Sequence, residues 1–120
     1  MTDQTKKLER LEAFEERLGV RIEALYANLD EGSGYTVNNK FLPGIRITGE
    51  IHPKEGTQLA QRIKIVADAY DLDGRVVCTE STASFDPEIF YGYETFGIVV
   101  GRIPAAQIVK IRVYPKPARY

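Results

Sequence analysis

The feature that most constrains the fold is a series of short runs in which apolar and polar residues alternate. The clearest run is residues 45–51, whose isoleucines all fall on one side of an extended strand. Residues 61–70 repeat the pattern, with Ile63 and Ile65 on the same side. Because glycine and proline interrupt the chain at short intervals between such runs, the sequence predicts a mainly β domain with antiparallel strands.

Further strands are predicted at residues 75–85, 95–100 and 107–114, with another at residues 35–42. Asp71-Leu72-Asp73-Gly74 predicts a hairpin turn, because Asp bonds its own backbone and glycine accepts a positive φ. We expect Pro115 and Pro117 to end the last strand, since proline has no N–H to give to a ladder. These elements together predict a β-sandwich domain over residues 35–120.

The N-terminal quarter of the chain has a different pattern. Residues 6–29 place apolar side chains at the three- and four-residue spacings that line one face of an amphipathic helix, and no proline interrupts them. We therefore predict one long helix within residues 1–31, about 35 Å in length at 1.5 Å per residue. Its apolar stripe consists of Leu8, Leu11, Phe14, Leu18, Ile22, Leu25 and Leu29.

A lone helix of this length is marginal in water, so its stripe must be buried against something. In heptad register Leu11, Leu18 and Leu25 take d positions, and the flanking e and g positions are compatible in a parallel pair. This register favours a coiled coil that makes a homo-oligomer, either a dimer or a trimer. The alternative is that the same face docks on its own β domain, because Phe14 widens the stripe beyond the a and d positions.

Four segments of the β domain match the pattern of a known family: Ile47-x-Gly49 with Ile51, Leu59 before Ile63-x-Ile65, Tyr70-Asp71-x-Asp73-Gly74-x-Val76-Val77, and Gly92-Tyr93-Glu94-x-Phe96. On these segments, residues 46–115 resemble the FxLYD-type domains, which are small bacterial immunoglobulin-like β-sandwiches. The resemblance implies an immunoglobulin-like antiparallel fold. It also implies a binding or structural module without a shared active site.

The sequence shows no catalytic or metal-binding pattern. Asp71-x-Asp73-Gly74 begins like an EF-hand loop, but its twelfth position is Thr82 and not a bidentate glutamate. His52 is the only histidine and has no partner that the sequence identifies, and Cys78 lies mid-strand like a buried inert thiol. Gly-rich phosphate loops and Cys/His ligand spacings are missing. We therefore predict that the protein is not an enzyme and binds neither a cofactor nor a metal.

Residues 85–93 carry several aromatic residues that a strand pattern does not explain. Tyrosines on loops often mark recognition surfaces, so Tyr91 and Tyr93 are candidate partner-binding residues. Phe85, Ile89 and Phe90 are instead expected to plug the open end of the sandwich. For Tyr91 and Tyr93, a part in closing this end of the sandwich stays open as the alternative to partner binding.

The balance of 16 Lys and Arg against 17 Asp and Glu does not indicate a nucleic-acid partner. No apolar run approaches the roughly 18 residues that a membrane helix needs, so we expect no membrane insertion. The first residues lack the basic and apolar regions of a signal peptide. We expect a cytoplasmic protein, or an extracytoplasmic one if an export signal has been removed.

These expectations converge on a non-enzymatic protein-interaction or assembly module. In that interpretation the helix drives homo-oligomerisation and the sandwich contacts a partner protein. The alternative is a β-sandwich that binds a small molecule or a carbohydrate, with the helix docked intramolecularly.

Overall fold

The computed structural model describes residues 3–118, and within that range the side chains of all residues except 31–35 and 37. The described chain is mainly β, with seven strands, one seven-residue α-helix and short 3-10 helices at Thr5–Lys7 and Ala105–Gln107. The helix is α1 (Glu12–Leu18). The strands are β1 (Leu8–Arg10), β2 (Val20–Val37), β3 (Lys40–Pro53), β4 (Ile63–Tyr70), β5 (Val76–Ser81), β6 (Glu94–Val100) and β7 (Lys110–Pro117).

The strands form two sheets. One sheet has the order β1-β7-β4-β5 and the other the order β2-β3-β6. All neighbours are antiparallel except β1 and β7, which run parallel. Both sheets contribute side chains to one buried apolar cluster, for example Ile47 and Val100 from the three-stranded sheet and Ile65 and Val113 from the other. The prediction of a mainly β protein is therefore confirmed.

Most of the strands predicted from alternation are present. Residues 45–51 lie within β3, and residues 63–70 form β4. The predicted hairpin turn joins β4 to β5: the Asp71 carboxylate accepts hydrogen bonds from the backbone N–H groups of Asp73 at 3.0 Å and Arg75 at 2.9 Å. Gly74 has a φ of +79°, which explains the requirement for glycine at the end of this turn.

The prediction of a long helix within residues 1–31 is wrong. Helix α1 spans only seven residues and ends at Leu18, because the next residue, Gly19, has a left-handed φ of 69°. From Val20 the chain is extended for 18 residues as β2. Buried Val20 and Ile22 alternate there with exposed Arg21, so the local period is that of a strand. β-Branched residues after a left-handed glycine favour this extended conformation.

A β-bulge explains why β2 imitates a helix in sequence. Glu23 pairs with Glu50 but Tyr26 pairs with Thr48, so two residues of β2 lie opposite Gly49 alone. The first of the two, Ala24, has a φ of 54°. The extra residue reverses the phase of the alternation, so that the apolar spacing across it is three, from Ile22 to Leu25. With spacings of four on either side, the sequence reads like one face of a helix.

A coiled coil is likewise not evident in the described part of the chain. The seven stripe residues are divided among three elements and do not share one helical face. One lies on β1, one directly before α1, two on α1 and three on β2. Strand β2 also runs through the predicted division between residues 31 and 35. The N-terminal segment therefore contributes strands to both sheets.

Two further expectations need correction at the strand ends. The predicted strand at residues 35–42 is the tip of the β2–β3 hairpin, whose turn residues Asn38 and Asn39 both have a positive φ, as a type I′ turn requires. Strand β7 continues through Pro115 and ends at Pro117, so the expectation is wrong for Pro115 alone. Because β1 pairs with β7 only as far as Val113, one side of β7 has no further strand among the described residues, and Pro115 needs no N–H there.

Candidate interaction surface

The loop of residues 85–93 connects the end of the four-stranded sheet to β6 and is attached to the core by Phe90. The Phe90 side chain is 1% exposed, and its ring meets that of Phe85 edge-on with centroids 6.3 Å apart. This part of the loop plugs the end of the domain, as the sequence indicates for the two phenylalanines. The burial of Phe90 fixes the position of the residues on either side of it.

Polar contacts attach the same loop to the rest of the domain. The Asp86 carboxylate lies 2.9 Å from the Arg62 guanidinium, and the Asp86 carbonyl oxygen accepts hydrogen bonds from the N–H groups of Ile89 and Phe90. Further along, the Gly92 N–H donates to the Thr57 carbonyl oxygen at 2.8 Å. The loop therefore presents its remaining side chains from a fixed backbone.

Three large side chains of this loop project from the protein. Ile89 is 81% exposed, Tyr91 79% and Tyr93 53%. The expectation that Ile89 plugs the end of the domain is wrong, because the turn that begins at Asp86 directs Phe90 inward and leaves Ile89 outside. We call Ile89, Tyr91 and Tyr93 the loop surface. The role of the two tyrosines in partner binding stays a prediction.

Tyr93 is oriented by His52 on the neighbouring strand β3. The two rings are stacked, with centroids 5.0 Å apart and planes 8° apart, and the His52 Nε2 lies 2.9 Å from a Glu50 carboxylate oxygen. A histidine that is oriented by a carboxylate can act as a general base only if a nucleophile or a substrate proton also lies within its reach. No hydroxyl or thiol among the described side chains bonds to His52. In this geometry the pair orients Tyr93.

Cys78 has the environment of an unreactive thiol. It is 8% exposed and its Sγ lies 3.6 Å from a Glu80 carboxylate oxygen. Burial and the adjacent Glu80 charge raise the pKa of the Cys78 thiol, so the reactive thiolate is disfavoured.

The described residues also contain no cluster of three or more His, Cys, Asp or Glu side chains arranged to hold a metal ion. Within the described range, no helix has the length and apolar character that crossing a membrane demands.

A shallow groove of about 400 Å³ lies between α1 and the end of β7. The Phe14 ring, 47% exposed, meets the Tyr114 ring edge-on there with centroids 5.3 Å apart. Apolar walls and two cations therefore meet in one concave surface. The residues that line it include Phe14, Arg17, Tyr114, Pro115, Lys116 and Pro117.

The outer face of the four-stranded sheet carries a polar network that the sequence interpretation missed. Arg112 pairs with Glu9 at 2.8 Å and lies over the Tyr70 ring, while the Tyr114 hydroxyl donates to Asp68 at 2.8 Å. Alternation places these residues on the face opposite the isoleucines, but their mutual contacts depend on β7 lying beside β4. Its charges are paired within the chain, and its contacts link β7 to β1 and to β4.

The residues predicted to drive oligomerisation are largely used within the chain. Ile22 is fully buried and Leu18 nearly so, whereas Phe14 is exposed at the groove described above. Partly buried members of the stripe that pack against the core are Leu8, Leu25 and Leu29, and Leu11, just before α1, is half-buried. The stripe therefore offers little free apolar surface to a second copy.

Comparison with protein-family models, with curated proteins and with solved structures found no match to this chain. The resemblance to the FxLYD-type domains accordingly stays a prediction.

Proposed function

We propose that this chain is a non-enzymatic protein-interaction module that contacts a partner protein through the loop surface. The observation that carries the proposal is that Ile89 and Tyr91 are about four-fifths exposed although the loop backbone is held by Phe90 and Asp86. Large apolar side chains on a fixed backbone lose little entropy on binding, which is why tyrosine is enriched at the centres of interfaces.

We further propose that the two sheets form an immunoglobulin-like β-sandwich. In that fold the second and fifth strands share one sheet, and the third and sixth share the other. The pairing of β3 with β6 and of β4 with β7 supports this order when β2 is counted as the first strand. Strand β1 then takes the position of the seventh strand, although it runs parallel to its neighbour.

The proposal is tested by affinity capture with the full chain as bait in an extract of its own source. We expect a protein to be retained by the wild type and at least about tenfold less by Tyr91→Ala, as loss of a central interface tyrosine predicts. Tyr26→Ala is the matched control, because Tyr26 is a 45% exposed tyrosine on β2, away from the loop. If Tyr91→Ala and Tyr26→Ala retain equal amounts of the partner protein, the assignment of partner binding to the loop surface is contradicted.

A second candidate function is binding of a small molecule in the groove between α1 and β7. Its volume of about 400 Å³ lies in the range of ligand sites, and Arg17 and Lys116 flank aromatic and proline walls. The alternative of a small-molecule-binding domain requires a helix that docks on its own β domain, and the position of α1 beside β7 is consistent with it. A panel of aromatic carboxylates screened by ligand-observed NMR tests it, and Phe14→Ala should abolish any signal. Absence of binding across the panel would count against this candidate.

A further inference from the structure

A second cavity, of about 500 Å³, adjoins the groove between α1 and β7 at one end of the four-stranded sheet. We call it the lysine cavity. The residues that line it are Lys64, Ser84, Lys116, Pro117 and Ala118, of which Lys116 and Pro117 also line the groove. The cavity and the groove therefore form one continuous depression. No described aspartate or glutamate lines either part of it.

The two lysines of the cavity lie directly opposite each other on neighbouring strands. In the antiparallel pairing of β4 with β7, Lys64 is the partner of Lys116. Side chains of such partners share one face of the sheet with their Cβ atoms about 4.5–5.5 Å apart, and like charges in this position destabilise the pairing. The arrangement therefore costs stability unless a negative charge lies between the two ammonium groups.

The described part of the chain does not supply that negative charge. Within it, neither Lys64 nor Lys116 has a carboxylate at ion-pairing distance or a hydrogen bond from its ammonium group. The same is true of Arg17, which lines the groove together with Lys116. The Ser84 hydroxyl also makes no hydrogen bond to a described residue. Three cations and one hydroxyl around the depression are thus without partners among residues 3–118.

A phosphate monoester is the anion that fits these groups. At neutral pH it carries a charge of about −1.5 to −2 and three strong acceptor oxygens, which suffices for both ammonium groups and the Ser84 hydroxyl. A carboxylate carries a single charge and would leave one of the two lysines uncompensated. Beyond Lys116, the rings of Phe14 and Tyr114 supply an aromatic wall for the rest of such a ligand.

We propose that the lysine cavity and the groove together bind a small molecule that carries a phosphate monoester and an aromatic ring. Its phosphate lies between Lys64 and Lys116 and accepts a hydrogen bond from Ser84, and its ring packs against Phe14 and Tyr114. This inference rests on the groove of the second candidate function and extends it by naming the anion. It is independent of the loop surface.

NMR titration of the ¹⁵N-labelled full chain with phenyl phosphate, inorganic phosphate and benzoate tests the proposal. We expect the amides of Lys64, Ser84 and Lys116 to shift, with a Kd of about 0.1–1 mM for phenyl phosphate, as a ligand of this size should give. Inorganic phosphate and benzoate should each bind at least about tenfold more weakly, because one lacks the ring and the other lacks the second negative charge.

Lys64→Gln and Lys116→Gln should each weaken the binding of phenyl phosphate at least about fivefold, because each removes one of the two charges that hold the phosphate. Lys110→Gln is the matched control: it makes the same change on β7 at a lysine that lies over the Tyr70 ring, outside the depression, and should leave the Kd within about twofold. Phe14→Ala should weaken phenyl phosphate and leave inorganic phosphate unaffected. Circular dichroism confirms that each variant is folded.

Three results would overturn the proposal: no shift of these amides at about 10 mM phenyl phosphate, binding by Lys64→Gln and Lys116→Gln equal to that of the wild type, or an equal loss in Lys110→Gln. Benzoate that binds as tightly as phenyl phosphate would also overturn it, while the groove would keep its role as a ligand site. Failure of this inference is therefore distinguishable from failure of the second candidate function.

Discussion

Tyr114, on the outer face of the four-stranded sheet, is held in its neutral form by its surroundings. Burial, the hydrogen bond that its hydroxyl donates to Asp68 and the charge of that carboxylate raise the pKa of Tyr114 from its usual 10.0 to about 12. The folded protein therefore holds this proton more tightly than the unfolded chain does. By linkage, the resulting stabilisation is present below about pH 10 and is lost as the pH rises to about 12.

Replacing Tyr114 with Phe should make the fall in the free energy of unfolding shallower between about pH 10 and about pH 12, because the group that releases its proton on unfolding is gone. Denaturant unfolding at a series of pH values measures this slope. Tyr26→Phe is the control, since Tyr26 is 45% exposed and lies outside the Tyr114–Asp68 contact. A Tyr114→Phe slope identical to that of the wild type would show that the Asp68 contact is not maintained in solution.

Among the elements, the short helix α1 depends on one buried carboxylate. Glu15 is 3% exposed and accepts hydrogen bonds from Arg10 Nε at 3.0 Å, from Arg10 Nη2 at 3.1 Å and from the Ile22 N–H at 3.0 Å. It thereby joins β1, α1 and the start of β2. A buried acid with this many donors holds three elements in register.

Glu15→Ala should lower the free energy of unfolding by about 2 kcal/mol, because it leaves the buried Ile22 N–H and the Arg10 guanidinium without their acceptor. Glu12→Ala in the same helix is the control and should change stability by less than about 0.5 kcal/mol, since the Glu12 side chain is 80% exposed. Denaturant unfolding of both variants makes the comparison. Equal losses would mean that Glu15 is not buried as described.

The strands that could be predicted from sequence are those with an unbroken alternation, such as residues 45–51 and 63–70. Strand β2 could not be predicted, because the bulge at Ala24 and Leu25 gives it the apolar spacing of a helix. In the heptad register of the predicted coiled coil, Glu15 takes an a position, where a charged residue is unfavourable. Its actual role depends on Arg10 and the Ile22 N–H, contacts that spacing does not reveal.

The candidate surface was predictable only in part, for a related reason. The aromatic content of residues 85–93 identifies Tyr91 and Tyr93. The stacking of Tyr93 on His52 depends on β6 pairing with β3, and alternation within a strand carries no information about its neighbours.

For the whole molecule, the central proposal is that it works by association with a partner protein through the loop surface. The three exposed side chains of that surface lie on a loop that is attached to the domain by buried Phe90 and by the contacts of Asp86 and Gly92. A partner could therefore cover Ile89, Tyr91 and Tyr93 without rearranging the core.

Amide hydrogen exchange of the full chain, measured alone and in complex with the protein that it captures, tests this proposal most directly. We predict that amides of residues 86–93 gain protection in the complex while those of β5 (Val76–Ser81) do not. The exchange experiment identifies the interface without any substitution. Identical exchange of residues 86–93 in the free and the bound chain, or protection gained instead in α1 and β2, would contradict the proposal.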